Sequence, residues 1–207
     1  MTEHYLCQQQ FVHAGAACTS LSLIGRLRLS SEDGDPAAEA EVDVESAALL
    51  TSEAVQERLE LMRSTRCQLF PVQAVLTGGA ATEADVDHLV SILQLAGSVT
   101  PLEVTDDTGT LHRVWPIRNR ALIQEIQSRL RSRRAVITGG ADQFAAVVRY
   151  RQEMREAGRL PDENDAASFV LACLVSELDE GLLTLPGDSG RSRLAPLSGL
   201  VFYDMDA

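Results

Sequence analysis

Apolar and polar residues alternate along several short segments of the chain, which predicts β-strands. In residues 5–13 every second side chain shares one face, and residues 21–29 alternate on either side of Gly25, where we predict a β-bulge. Residues 67–77 are apolar, but Pro71 interrupts them, which favours an edge strand or a split strand. The N-terminal part of the chain is therefore predicted to contain strands.

A β-hairpin is predicted in the middle of the chain. Residues 102–105 alternate apolar and polar, and residues 106–109 read Asp-Asp-Thr-Gly, a composition typical of tight turns. The second strand carries Trp115 and should end at Pro116, which has no N–H to donate to a neighbouring strand. Because Trp115 shares a face with Leu111, we expect its ring to pack between the hairpin and the next helix.

Apolar residues at helical spacing predict about five helices. The predicted helices cover residues 52–66, 82–97, 119–134, 142–158 and 162–180, with Thr51, Pro116 and Asn164 as alternative starts of the first, third and last; Asn119 is the expected cap of the third. The residues predicted to face inward are Val55, Leu59 and Met62 in the first helix, Leu122, Ile123, Ile126 and Leu130 in the third, and Phe144, Val147, Val148 and Met154 in the fourth. The last one rests on the wide apolar face of Phe169, Val170, Cys173, Leu174 and Leu178. Residues 136–140 should break or kink the chain, and strands are expected at 182–185 and 197–203. We therefore predict an α+β fold with about five helices and short antiparallel strands, including a central β-hairpin.

Three regions are predicted along the 207 residues. Residues 1–80 form an N-terminal α+β region, and residues 81–160 form a helix-hairpin-helix domain with basic helices. Residues 161–207 supply a C-terminal helix and strands that pack back on the core. A chain of this length can bury a sizeable core, in one domain or in two small ones.

Charge is segregated along the chain, which has a net charge of −12 and in which all 18 basic residues are arginine. Residues 1–112 hold 5 Arg and 17 acidic residues, residues 113–159 hold 11 Arg and 4 acidic residues, and residues 160–207 hold 2 Arg and 9 acidic residues. A basic middle between acidic ends can pair with itself, with an acidic protein or with nucleic acid.

No membrane association is predicted, because no apolar run approaches the ~18–20 residues that cross a bilayer. The first residues also lack the basic and apolar segments of a secretory signal. The expected location is the cytoplasm, or a virion assembled in the host cytoplasm.

The N-terminal segment contains the only arrangement with metal-ligand spacing. His4-x2-Cys7 has the spacing of a zinc clip, and His13-x4-Cys18 is a looser second pair. The alternative is a strand in which Cys7 and His13 share one face, and the alternation of residues 5–13 favours this interpretation.

No catalytic or cofactor-binding set is predicted. The four histidines show no local signature with a nucleophile and a carboxylate. Asp106-Asp107 ahead of Thr-Gly is typical of a turn. The four cysteines contain no Cys-x-x-Cys and are interpreted as reduced structural thiols. We therefore predict no enzymatic activity and no cofactor.

An interaction surface is the predicted functional feature. It comprises the arginines around the predicted helix 119–134 and the only tryptophan: Arg118, Arg120, Arg131, Arg133, Arg134 and Trp115. Arginine offers a planar fork of hydrogen-bond donors to acidic partners.

Residues 81–147 resemble a small uncharacterised domain of phage tail-fibre and tail-fibre-assembly proteins. The similarity is carried by the helix TEADVDHLVSILQLAG, the strand and turn PLEVTDDTG, the strand TLHRVW and the helix ALIQEIQSRLRSRR. The resemblance implies a virion or assembly role and no catalysis.

The sequence thus favours a structural or assembly protein, a tail or baseplate-associated component of a phage particle. Its partners would be copies of itself or other assembly subunits. The alternative is a nucleic-acid-binding or regulatory module that places the arginine-rich segment 118–134 on phosphates.

Overall fold

The computed structural model describes residues 4–29, 53–77, 99–130, 134–160, 165–179 and 181–182. Within these ranges the chain forms seven strands: β1 His4–His13, β2 Ala16–Arg28, β3 Val72–Thr77, β4 Leu102–Thr105, β5 Leu111–Ile117, β6 Arg134–Gly139 and β7 Phe169–Ser176. It also forms three α-helices: α1 Glu53–Thr65, α2 Arg120–Leu130 and α3 Ala141–Glu156. A short 3-10 helix, Ala166–Ser168, precedes β7.

All seven strands belong to one mixed sheet with the order β4-β5-β1-β2-β7-β3-β6. Neighbouring strands are antiparallel except β3 and β7, which are parallel. The turn between β1 and β2 consists of Ala14 and Gly15, whose φ angles are +50° and +83°. Two consecutive positive φ angles match the twist of a tight hairpin, and Gly15 adopts such an angle without strain.

The predicted fold class is wrong in its balance of elements, because the described residues contain three helices and a seven-stranded sheet. The helix predicted over 162–180 is the 3-10 helix followed by β7. β7 lies between β2 and β3 and is buried on both faces. A strand of this kind is apolar without interruption, and periodicity cannot distinguish it from a buried helix. The predicted helix 82–97 and the strands 182–185 and 197–203 lie outside the described residues.

Two further segments form strands that differ, wholly or in part, from the sequence predictions. Residues 136–140 do not break the chain, since 136–139 belong to β6. β6 starts at Arg134, so this residue does not belong to the preceding helix. β3 begins directly after Pro71, so the proline divides the segment 67–77 as one of the two alternatives predicted. β3 lies between β7 and β6, so the other alternative, an edge strand, is wrong.

Glycine and proline in the strands also differ from expectation. β2 and β7 pair in unbroken register through Gly25, so no bulge forms there. Instead, the ring of His4 lies 3.0 Å from where a Cβ of residue 25 would be. β5 continues through Pro116 to Ile117. Position 116 faces the β4 side of β5, but β4 pairs with β5 only as far as Val114. The missing N–H of Pro116 therefore costs no hydrogen bond to a described strand.

The three helices pack against one face of the sheet, which we call the helical face. Buried residues of the helices and of this face form one core. The predicted apolar residues of α1, namely Val55, Leu59 and Met62, are buried in it. Two ion pairs at the protein surface join α1 to α3: Arg58–Asp142 at 3.3 Å and Arg63–Glu153 at 2.6 Å. The helical face is therefore covered by packed helices.

The predictions for α2 and α3 hold in part. Ile123 and Ile126 of α2 are buried as expected, and the Asn119 side chain accepts hydrogen bonds from the N–H groups of residues 121 and 122. In α3, Val147 is buried as predicted, but Val148 was predicted to point inward and is 40% exposed.

Trp115 lies in the core, as the hairpin pattern predicted. It is 6% exposed and belongs to the cluster that contains Leu6, Ile123 and Ile126. Its indole thus connects the hairpin with α2.

Strands from all three predicted regions alternate within the one sheet. β1 pairs with β5, β2 with β7, and β3 with β6. The described residues of the three regions therefore do not form separate sheets. None of the helices in the described ranges is long and apolar enough to cross a membrane.

Candidate functional site

The end of the sheet formed by β4 and the turn to β5 is the candidate site, since no described strand pairs with the outer side of β4. We call β4 and its outward-facing backbone the β4 edge. The turn is closed by Asp106, whose N–H donates to the Thr110 carbonyl at 3.0 Å. One carboxylate oxygen of Asp106 accepts from the N–H groups of Thr108 and Thr110, at 2.9 and 3.0 Å, and from the Thr108 hydroxyl at 2.7 Å. Asp favours turns for this reason, since it satisfies backbone donors that would otherwise lack a partner.

A buried histidine connects this turn to the interior of the sheet. His112 is 4% exposed, and its Nε2 lies 2.9 Å from the second carboxylate oxygen of Asp106. An ionised carboxylate can only accept, so Nε2 carries the proton. The other ring nitrogen, Nδ1, lies 3.3 Å from the amide nitrogen of Gln9 on β1. Both nitrogens of His112 are therefore engaged in holding the hairpin against β1.

These hydrogen bonds favour the charged form of Asp106. The bond from His112 has the largest effect, followed by that from Thr108, and together they hold the pKa of Asp106 well below its ordinary value of 3.8. A depressed pKa in the folded state means that ionised Asp106 stabilises the fold above pH ~4. That contribution should be lost as the pH falls from this value toward the folded-state pKa.

Asp106→Asn is therefore expected to destabilise the protein in a pH-dependent way. The wild type should be more stable than the variant at pH 7, and the difference should shrink at pH 3, where Asp106 of the unfolded chain is largely protonated. Urea unfolding followed by circular dichroism at both pH values measures this difference. Asp107→Asn, at an exposed position in the same turn, is the control. An Asp106→Asn difference of the same size at both pH values would show that the carboxylate charge is not what stabilises the turn.

The β4 edge exposes apolar side chains at the end of the sheet. Leu102 is 58% exposed and Val104 is 48% exposed. Both lie on the face of the sheet opposite the helices, because their cross-strand partners there are Val114 and His112. Among the described residues, no strand lies beyond β4.

The other face of the β4 edge is polar and held in place by Arg113. Its Nε donates to Glu103 across the strand pair at 2.5 Å, and its Nη1 donates to the side chains of Gln8 and Gln10 at 3.2 and 2.8 Å. The charge of Glu103 is thus compensated within the chain. β4 is fixed to β5 and β1 through side chains as well as through the backbone.

The hydrogen-bond pattern shows which backbone groups of β4 face outward. Bonded and non-bonded residue pairs alternate along an antiparallel ladder. The bond between Asp106 and Thr110 places residues 104 and 102 in bonded pairs with β5. The N–H and C=O groups of Glu103 and Thr105 therefore point away from β5, toward the free side of the sheet.

The structure separates the residues of the hypothetical zinc set. His4 and Cys7 are three positions apart on β1 and so point to opposite faces of the sheet. Cys18 pairs with Phe11, four residues along β1 from Cys7, a distance of roughly 13 Å. In the part of the chain that the structure describes, no three His, Cys, Asp or Glu side chains cluster as a metal site would require.

The structure places the predicted interface residues in different environments. Arg118 and Arg120 are exposed at the start of α2. Arg134 begins β6, Arg131 and Arg133 lie outside the described residues, and Trp115 is in the core. The two described exposed arginines are therefore all that can be located of the predicted basic surface.

Three buried potential nucleophiles, Ser20, Cys7 and Cys173, lie in environments that do not activate them. Ser20 is buried, but Gln9 lies between it and His112 in the sheet, so the two side chains are two strands apart, about 10 Å. Burial raises the pKa of the Cys173 thiol to about 11, and it also raises that of Cys7. Neither thiol is activated for nucleophilic attack.

The sequence predicts the hairpin but not the exposed sheet edge that it forms. The signal that could have indicated it was the pair of apolar residues Leu102 and Val104 on one face of a short strand that carries no charge between them on that face. The bond between Gln9 and His112 joins residues 103 positions apart, and nothing local in the sequence indicates it.

A family model described as "Protein of unknown function (DUF1015)" matches residues 3–188, most of the chain. No curated protein and no solved structure matches this chain. The family description names no phage component, so the resemblance of residues 81–147 to tail-fibre proteins stays a prediction.

Proposed function

We propose that this chain, which belongs to the DUF1015 family, is a non-catalytic interaction protein that binds a protein partner through the β4 edge. The observation that carries this proposal is the exposure of Leu102 and Val104, at 58% and 48%, on a strand at the end of the sheet. The adjacent turn and strand are held in place by hydrogen bonds of Asp106, His112 and Arg113.

An open strand edge favours pairing with another strand. Its outward N–H and C=O groups form hydrogen bonds with an added strand, and alternate side chains provide specificity. Proteins usually protect such edges with charges, prolines or covering segments. In β4 the one charged residue, Glu103, lies on the opposite face from Leu102 and Val104 and is paired with Arg113.

The class of partner follows from chemistry and charge. An apolar edge on a chain of net charge −12 is suited to a protein strand and repels phosphate. Together with the resemblance of residues 81–147 to tail-fibre proteins, this favours a subunit of a larger assembly, such as a phage particle built in the host cytoplasm. The absence of enzymatic activity is part of the proposal. It is supported by the engagement of both His112 nitrogens and by the raised pKa of Cys173.

The test is to purify the tagged chain from the cells that naturally produce it and to measure its mass by light scattering. We expect a protein complex that is lost in the double variant Leu102→Lys/Val104→Lys. The matched control is Val148→Lys, at an exposed valine of α3, which should retain the complex. Circular dichroism verifies that all variants are folded.

Two outcomes would contradict the proposal. A strict monomer at high concentration, with nothing bound, would remove the basis for an interaction role. A complex that disappears on nuclease treatment would instead support the nucleic-acid-binding alternative.

A further inference from the structure

The geometry points to a second copy of this chain as the occupant of the β4 edge, paired antiparallel about a two-fold axis at Val104. This inference rests on the proposed function, since it specifies the partner of the same edge. A two-fold interface uses the same patch on both copies, so β4 must be complementary to itself. The backbone pattern and the side chains of β4 meet this requirement in one register.

Backbone direction restricts the possible registers. Only Glu103 and Thr105 of β4 present their N–H and C=O groups to the free side. An added antiparallel strand can bond only where an outward-facing residue meets another outward-facing residue. Symmetric registers are therefore centred on residue 103, 104 or 105, and an axis between two residues is excluded.

The register centred on Val104 is the favourable one. It pairs Glu103 with Thr105 of the second copy and Thr105 with Glu103, which forms four backbone hydrogen bonds. Centring on Glu103 would place two carboxylates opposite each other, which is destabilising. Centring on Thr105 would extend the ladder to Asp107, in the turn, where the chain has left the strand.

The same register covers the exposed apolar side chains. Val104 faces Val104 of the second copy as a non-hydrogen-bonded pair, the arrangement in which opposite side chains are closest. Leu102 lies diagonally across from that valine, so four apolar side chains form one row. Within each copy the charge of Glu103 is paired with Arg113, and Asp106, which this register places opposite Leu102 of the second copy, is bonded to His112.

The interface is small, and this sets its strength and salt dependence. Two four-residue strands bury less than the ~1,600 Å² of a standard interface, so the dimer should be weak and reversible. Each copy has a net charge of −12, and added salt screens the repulsion between them. The dimer should therefore strengthen with increasing salt, opposite to binding of a basic partner.

Sedimentation of the purified full chain over a range of concentrations and salt tests the inference. We expect a monomer–dimer equilibrium that shifts toward dimer from 50 to 500 mM NaCl. Val104→Lys places two ammonium groups at the axis and should weaken dimerisation at least tenfold. The control Val148→Lys adds the same charge on α3 and should leave the dimer intact.

Cross-linking tests the register independently. In a Cys18→Ser/Cys67→Ser background, Val104→Cys should form an intermolecular disulfide under mild oxidation. Glu103→Cys should not, because residue 103 faces Thr105 and not itself. A disulfide from Glu103→Cys alone would overturn the register.

The remaining outcomes separate this inference from the proposed function. A dimer that survives Val104→Lys uses another surface and overturns the inference, while an interaction role remains. A monomer at all concentrations overturns it too. If a different protein still co-purifies with the wild type and is lost from the Leu102→Lys/Val104→Lys variant, the proposed function stands without it.

Discussion

Replacing Trp115 with alanine should lower the free energy of unfolding by about 3–5 kcal/mol, the range for removing a buried aromatic side chain. Trp115 lies opposite Leu6 in the sheet and packs in the cluster with Ile123 and Ile126. Aromatic residues are only 4% of the chain, so few other rings can fill the space. The loss should also weaken the attachment of α2 to the hairpin.

Chemical unfolding followed by circular dichroism measures this loss, since the variant has no tryptophan to report by fluorescence. Phe70→Ala is a matched control, because Phe70 is an exposed aromatic whose ring contacts Arg58; this change should cost below ~1 kcal/mol. In the wild type, the tryptophan emission should be blue-shifted. Emission close to that of free indole, together with a small loss of stability, would contradict the buried position.

Replacing His112 with alanine is expected to have the second-largest effect, about 2–3 kcal/mol. The imidazole is buried and bonds both Asp106 and Gln9, so its removal leaves polar groups of both without this partner. Asp106 keeps its bonds from Thr108 and Thr110, which limits the loss. The turn should persist locally, while its attachment to β1 weakens.

Hydrogen exchange distinguishes this outcome from a general loss of stability. Relative to the wild type, His112→Ala should accelerate amide exchange in β4 and β5 more than in α1, which lies on the other face of the sheet. His13→Ala is the control, since His13 is exposed at the end of β1 and should change stability by less than ~0.5 kcal/mol. Equal loss of protection in the hairpin and in α1 would show that His112 does not act locally.

Local patterns identified the elements whose sequence period is visible. α1 has one buried and one more exposed side, while β1 and the hairpin were identified from alternating residue types and from the turn at 106–109. β7 has no exposed side, and its run of apolar residues matched a helix as well as a strand. β3 and β6 are short, and proline and glycine beside them suggested breaks where strands begin and end.

The candidate site could be predicted from the sequence only in part, because it too depends on strand order. The sequence directed attention to the arginines, because charge segregation can be counted without a structure. Exposure of Leu102 and Val104 depends on β4 being at the end of the sheet, which is a property of strand order. Their alternation with polar residues equally fits a strand in the interior of a sheet.

By itself, the sequence determined what depends on neighbours within a few residues: the turn at Asp106, the period of α1 and the position of Trp115 on the inner face of its strand. Strand order was decided by the tertiary structure, because it depends on which distant segments bury each other's apolar faces and satisfy each other's backbone groups. Pairing of β1 with β5 brings Gln9 to His112, and no strand among the described residues follows β4. The free edge that carries the proposed function is a consequence of that order, since an edge exists only relative to the whole sheet.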